Sequence, residues 1–100
     1  MTKTQEHNQV VLEGEWDLSR RDELTALFRK LRTDSEATID LRGMTYADST
    51  FLNALAALAL RFQAAPITLL DPQPSVFRVL KSVGFDKLFR ITVPKSAPFG

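Results

Sequence analysis

The chain has no cysteine and a single histidine, His7, which lies in a polar N-terminal stretch. Without cysteine there is no disulfide framework, no thiol nucleophile and no Cys-ligated zinc. With one histidine and no thiol, the Ser-His, Cys-His and His-metal constellations cannot be assembled from this chain. The 12 acidic residues show no spacing that suggests a metal site or an acid–base pair. Neither catalysis nor a bound cofactor or metal is expected.

Glycine is sparse as well. Gly14, Gly43, Gly84 and Gly100 are isolated, so neither G-x-x-x-x-G-K-[ST] nor G-x-G-x-x-G occurs, and any nucleotide has to be bound by a partner. An excess of one charge is missing too: 13 basic against 12 acidic residues leave a net charge of +1, with no footprint for direct nucleic-acid binding. Long apolar runs are absent. The strongest, Leu52–Leu60, is broken by Asn53 and followed by Arg61, well short of the ~20 residues a membrane span requires. The N-terminus has no apolar signal region. These features predict a soluble, cytoplasmic domain without membrane insertion.

What is present is ordinary globular material. The 100 residues, 44% hydrophobic and 25% charged, suit one domain over 1–100 that buries roughly 60–70% of its unfolded surface. Met1–Asn8 carry no apolar alternation and form either a short edge strand or a loose end; Pro94–Gly100 reads as a tail. Val10-Val11-Leu12 predicts a strand within Gln9–Glu15 that ends near Gly14. Ser19 followed by Asp22 resembles a capping box ahead of a helix over about Arg20–Arg32, whose Leu24, Leu27, Phe28 and Leu31 form one apolar stripe. Arg20, Arg21, Arg29, Lys30 and Arg32 gather on that helix, either as a solvated face interleaved with Asp22 and Glu23 or as a phosphate-binding patch.

Ala37–Leu41 predicts a strand closed by Arg42-Gly43, and a helix follows over about Thr50–Gln63, ended by Ala65-Pro66. Ile67–Leu70 is the next strand. Ser75 is positioned to cap a third helix with Val76, Val79, Leu80 and Val83 on its apolar side and Gly84 at its end. A last short strand is expected within Phe85–Val93. Alternation of strands and helices with right-handed crossovers predicts a small α/β domain with a largely parallel sheet.

Between the second strand and the second helix lies Thr45-Tyr46-Ala47-Asp48-Ser49-Thr50, on the sheet edge where such folds gather functional residues. An acid and hydroxyls at a helix start are natural caps for its unpaired N–H groups, and the same geometry seats a phosphate. Both readings stand, and they are compatible. On the helix behind, Phe51, Leu52, Leu55, Leu58, Ala59 and Phe62 share the inner side, and Asn53, Ala54, Ala57, Leu60 and Arg61 the outer. That weakly polar outer side is either a docking surface for a partner or is covered by the third helix.

The order Val10-Val11-Leu12-Glu13-Gly14-Glu15-Trp16-Asp17, then Ile39-Asp40-Leu41-Arg42-Gly43-Met44-Thr45-Tyr46-Ala47-Asp48-Ser49-Thr50, resembles the STAS domain of anti-sigma factor antagonists. Leu80, Gly84 and Phe89 extend the likeness, which covers about residues 9–92. The resemblance implies a STAS-like α/β fold, a mixed and mostly parallel sheet with helices packed against it. It implies no catalytic activity and no cofactor. It further implies that Ser49 is phosphorylated by an anti-sigma factor that is itself a serine kinase. The unmodified domain then binds that kinase, and a phosphatase restores the unmodified form. Carried onto this sequence, the family motif is Asp48, Ser49 and Thr50; together with Phe51 and the outer-face residues Asn53, Ala54 and Ala57 these are the expected partner-binding residues. The chain departs from the family pattern at Phe51, where the family has glycine. That ring is expected either to pack into the core with Leu55 and Leu58 or to stand exposed as an anchor for a partner. The alternative to a phosphorylated switch is a STAS scaffold subunit of a lipid-transport ABC system or of a stressosome-like complex.

Overall fold

The computed structural model describes residues 8–63 and 65–93; the expectations for residues 1–7 and for the tail 94–100 lie outside them. Strands β1 (Gln9–Val11), β3 (Ala37–Asp40), β5 (Ile67–Leu70) and β6 (Arg90–Ile91) form one four-stranded sheet in the order β1-β3-β5-β6. A second pair, β2 (Gly14–Trp16) with β4 (Met44–Ala47), carries the first two chains of the sheet onward. All pairings among the described residues are parallel. Between them run helices α1 (Arg21–Arg29), α2 (Ser49–Arg61) and α3 (Pro74–Ser82).

The β1–β2 and β3–β4 segments are two interrupted strands, the first broken at Leu12-Glu13 and the second by the turn at Arg42-Gly43, with a register shift at Gly14/Glu15 in the β2–β4 pairing. The Leu12 N–H donates to the Asp40 carbonyl at 3.1 Å and the Gly14 N–H to the Gly43 carbonyl at 2.9 Å, so the ladder continues across the break. Gly14 sits at φ +88°, a conformation that side chains rarely adopt, which is why glycine stands at this register shift. The break corrects one expectation. Thr45-Tyr46-Ala47 is not loop but most of β4, because the chain re-enters the extended state after the turn at Arg42-Gly43.

Register puts Val10, Ile39 and Leu69 in one row across β1, β3 and β5, all on the face that the helices cover. Leu24 and Phe28 of α1, Phe51, Leu55 and Leu58 of α2, and Val76 and Leu80 of α3 complete the core with Trp16 and Met44. At about 25 cal/mol per Å² of apolar area, burial on this scale is the main force holding the domain together. The opposite face is more polar: Gln9, Thr38, Thr68 and Arg90 stand in one row, and Val11, Asp40 and Leu70 in the next. Asp40 is the buried charged residue of the described core. Its carboxylate accepts from Arg42 Nε at 3.1 Å, from the second guanidinium nitrogen at 2.7 Å, and from the Arg42 backbone N–H at 3.0 Å.

Two helix starts differ from expectation. Ser19 does not cap α1; the Asp17 carboxylate takes both the Ser19 N–H (3.0 Å) and its hydroxyl (2.6 Å), which winds Leu18–Arg20 into a 3₁₀ turn ahead of the helix. Ser75 does not cap α3, because Pro74 occupies the first helical position and Gln73 becomes the cap residue. The Gln73 side chain donates instead to the Arg42 carbonyl. Gly84, at φ +83°, closes α3 as expected.

Candidate functional site

The junction of β4 and α2 holds the residues singled out by sequence. Asp48, in extended conformation, is the N-cap of α2, and its Oδ1 accepts the Thr50 N–H at 2.8 Å. Phe51 and Leu52 N–H groups both find the Asp48 carbonyl, at 3.1 and 3.2 Å. The first-turn donors are therefore served by Asp48 alone. Ser49 is the first residue of the helix, exposed, and its hydroxyl makes no hydrogen bond among the described residues.

Phe51 is the point where the structure chooses between two expectations. Its ring is fully buried among the core residues, with Leu55 and Leu58 one and two turns along the same face. It is not an exposed anchor, and its place among the partner-binding residues is corrected accordingly: helical phase one step after Thr50 turns it inward. The inner face of α2 is otherwise as its periodicity implies, with Leu55, Leu58 and Phe62 buried. The outer face is left uncovered, as α3 packs against β4 and α1 flanks α2. Asn53 and Ala57 are exposed, Ala54 is half-buried, and Leu60 is 75% exposed.

The structure adds a wall that sequence reasoning missed. Asp48, Ser49, Thr50, Asn53 and Ala54 face Leu18, Arg21 and Thr25 across an open groove of about 520 Å³. Ala57 lies farther along, in a second hollow of about 370 Å³ with Phe28, Arg29, Leu58 and Arg61. The available signal was Arg21, Thr25 and Arg29 at i, i+4 and i+8, one edge of α1 beside its apolar stripe. The cationic cluster of α1 is thereby divided. Arg21 and Arg29 border the grooves, whereas Arg20 turns back onto Trp16, its guanidinium carbon 3.6 Å from the ring centroid.

No group of three or more His, Cys, Asp or Glu side chains comes together among the described residues. The arrangement offers a hydroxyl at a helix start, beside an acid and across from an arginine, on a surface shaped for contact.

The family model described as "Mlab, STAS domain" matches residues 1–92. The chain belongs to this STAS family. A search of curated proteins returns no match. As a STAS domain it is of a class that works through protein–protein contacts. No helix among the described residues is long and apolar enough to cross a membrane.

Proposed function

We propose that this STAS domain is an anti-sigma factor antagonist: it binds an anti-sigma factor with serine-kinase activity through the start of α2, and phosphorylation of Ser49 releases that partner. The observation that carries the reading is the division of labour at the helix start. Asp48 caps, so the exposed Ser49 hydroxyl has no structural duty among the described residues. A phosphate there adds about −1.5 to −2 charges beside Asp48. Like charges brought together across an interface cost several kcal/mol, enough to abolish roughly micromolar binding. The inward Phe51 also supports it, because a ring in the core leaves the approach to Ser49 open where the family carries glycine. A phosphatase acting on the modified form, a cytoplasmic setting and the absence of catalysis by this chain belong to the same reading.

The test is incubation with the kinase that co-purifies with the domain and ATP, with the phosphate located by mass spectrometry. Phosphate on Ser49, and loss of the partner in Ser49→Asp but not in Ser49→Ala, is the expected result. A Ser49→Asp domain that still holds its partner rejects the switch.

A second reading has its own observation. The outer face of α2 stays weakly polar well past Ser49, through Ala57 to the exposed Leu60. A face of that length suits a permanent subunit contact, as in a STAS scaffold subunit of a lipid-transport ABC system or a stressosome-like complex. An ATPase subunit of a transporter co-purifying regardless of Ser49 would favour it.

A further inference from the structure

The two hollows beside α2 share Thr25 and Ala54, so they make one trough along the seam of α1 and α2. Its floor is apolar and low because α2 contributes alanines there, Ala54 and Ala57, next to Phe28. Its borders are cationic: Arg21 and Arg29 stand on α1 and Arg61 at the far end, while the single acid lining it is Asp48. Arg61 is engaged, its guanidinium donating to the Phe28 and Leu31 carbonyls at 3.3 and 3.5 Å. The Arg29 side chain makes no hydrogen bond or ion pair among the described residues, and that of Arg21 meets only the exposed Asp22, at 3.7 Å. One wall of an apolar trough is thus lined by two guanidinium groups, that of Arg29 without a partner among the described residues and that of Arg21 in a single exposed pair at 3.7 Å.

We propose that this trough docks a helix of the partner protein that carries small apolar residues on one face and Asp or Glu beside them. The inference rests on the reading of α2 as a docking surface and adds the chemistry of what docks. A helix of about 10 Å diameter lies along a seam between two others by setting its ridge into their groove, and alanines permit the close approach. Carboxylates flanking that ridge meet Arg21 and Arg29 in bidentate geometry. The sign also fits the switch. A phosphate on Ser49 adds negative charge in the same groove as Arg21, repelling an acidic helix while neutralising the cation that would hold it. A basic partner would be drawn in by that change, not released. A second copy of the chain would set arginine against arginine, and neither Met1–His7 nor Pro94–Gly100 carries more than one acid, so these occupants suit the trough poorly.

The test uses the ¹⁵N-labelled 100-residue chain and two synthetic amphipathic peptides of about 18 residues, long enough to be helical. Both carry the same Ala/Leu stripe, one with Glu and the other with Lys at the remaining positions. The expected result is amide shifts at Thr25, Arg29, Ala54 and Ala57 with the Glu peptide, and about tenfold weaker binding of the Lys peptide. The double variant Arg21→Glu/Arg29→Glu should reverse the preference, and Arg21→Ala/Arg29→Ala should erase it. Equal binding of the two peptides, shifts confined to other surfaces, no shifts at all, or concentration-dependent shifts without peptide overturn the proposal. If Ser49→Asp releases the co-purified kinase and the arginine variants do not, the trough is rejected and the switch stands. If the arginine variants release it and Ser49→Asp does not, the switch fails alone.

Discussion

Asp48 and Thr50 are joined by a 2.8 Å hydrogen bond from the Thr50 N–H to Asp48 Oδ1, and this bond frees the residue between them. A helix start needs one short polar side chain to satisfy its second or third N–H. Here the acid supplies it, so Ser49 is exposed on the first turn with a hydroxyl that makes no hydrogen bond among the described residues.

The two residues should therefore separate cleanly on mutation. Asp48→Ala removes the cap and is expected to cost about 1 kcal/mol, lowering the melting midpoint by about 4–8 °C for a domain of this size. Ser49→Ala should stay within about 0.5 kcal/mol of the parent. Thermal and urea unfolding of the pair decides the matter. Equal destabilisation would mean that Ser49 shares the capping role.

Phe51 should behave as a core residue despite its neighbours. Full burial predicts a loss of about 3–5 kcal/mol for Phe51→Ala. Phe51→Gly, which restores the family's residue, should be worse by about 1 kcal/mol because glycine is a poor helix former. Denaturant midpoints measure both. A cost under about 1 kcal/mol for Phe51→Ala would place the ring at the surface.

Much of this was legible in the chain because it rests on periodicity. The apolar stripes of α1 and α2, the strands Ala37–Asp40 and Ile67–Leu70, and the inward side of α2 follow from spacing alone. The misses have local physical causes. Asp17 outcompetes Ser19 because its carboxylate lies two residues ahead and can take both Ser19 donors. β4 was hidden because a turn at Arg42-Gly43 breaks the strand without ending it, and pairing with β2 depends on residues some thirty positions away. The α1 wall of the groove was hidden for the same kind of reason. Its residues were visible as one cationic cluster, but which of them face α2 and which fold back onto Trp16 is decided only by packing.

Asp40 should give the fold a dependence on acid. Hydrogen bonds from the Arg42 guanidinium, ahead of the cost of burial, hold its carboxyl below the ordinary carboxylate value. A depressed folded value means the ionised form is favoured in the fold. Its stabilising contribution is thus complete above the unfolded value of about 3.9 and is lost as pH falls through the lower folded value. Asp40→Asn and Arg42→Gln should each lower stability at neutral pH and flatten the loss of stability below about pH 4. Urea midpoints across that range provide the check. An unchanged slope in both variants would show that other carboxylates set the acid response.

Trp16 provides a probe of the corner that carries the α1 wall. It is the one tryptophan of the chain, 2% exposed, with its Nε1 donating to the Glu13 carbonyl at 3.1 Å. Arg20 covers its face, while the same guanidinium donates to the Glu13 and Glu15 carbonyls and to both carboxylate oxygens of Glu23. One planar fork thus ties β2 to the start of α1, an arrangement a lysine cannot reproduce. Arg20→Lys and Arg20→Met should both admit water to the indole, shift its emission to the red and lower the melting midpoint, with Met recovering part of the packing but none of the hydrogen bonds. Because Leu18 and Arg21 flank Arg20 and line the groove opposite Ser49, loosening this corner should also weaken partner binding without touching α2. An unshifted emission maximum in both variants would mean that the strand and the helix are held together without Arg20.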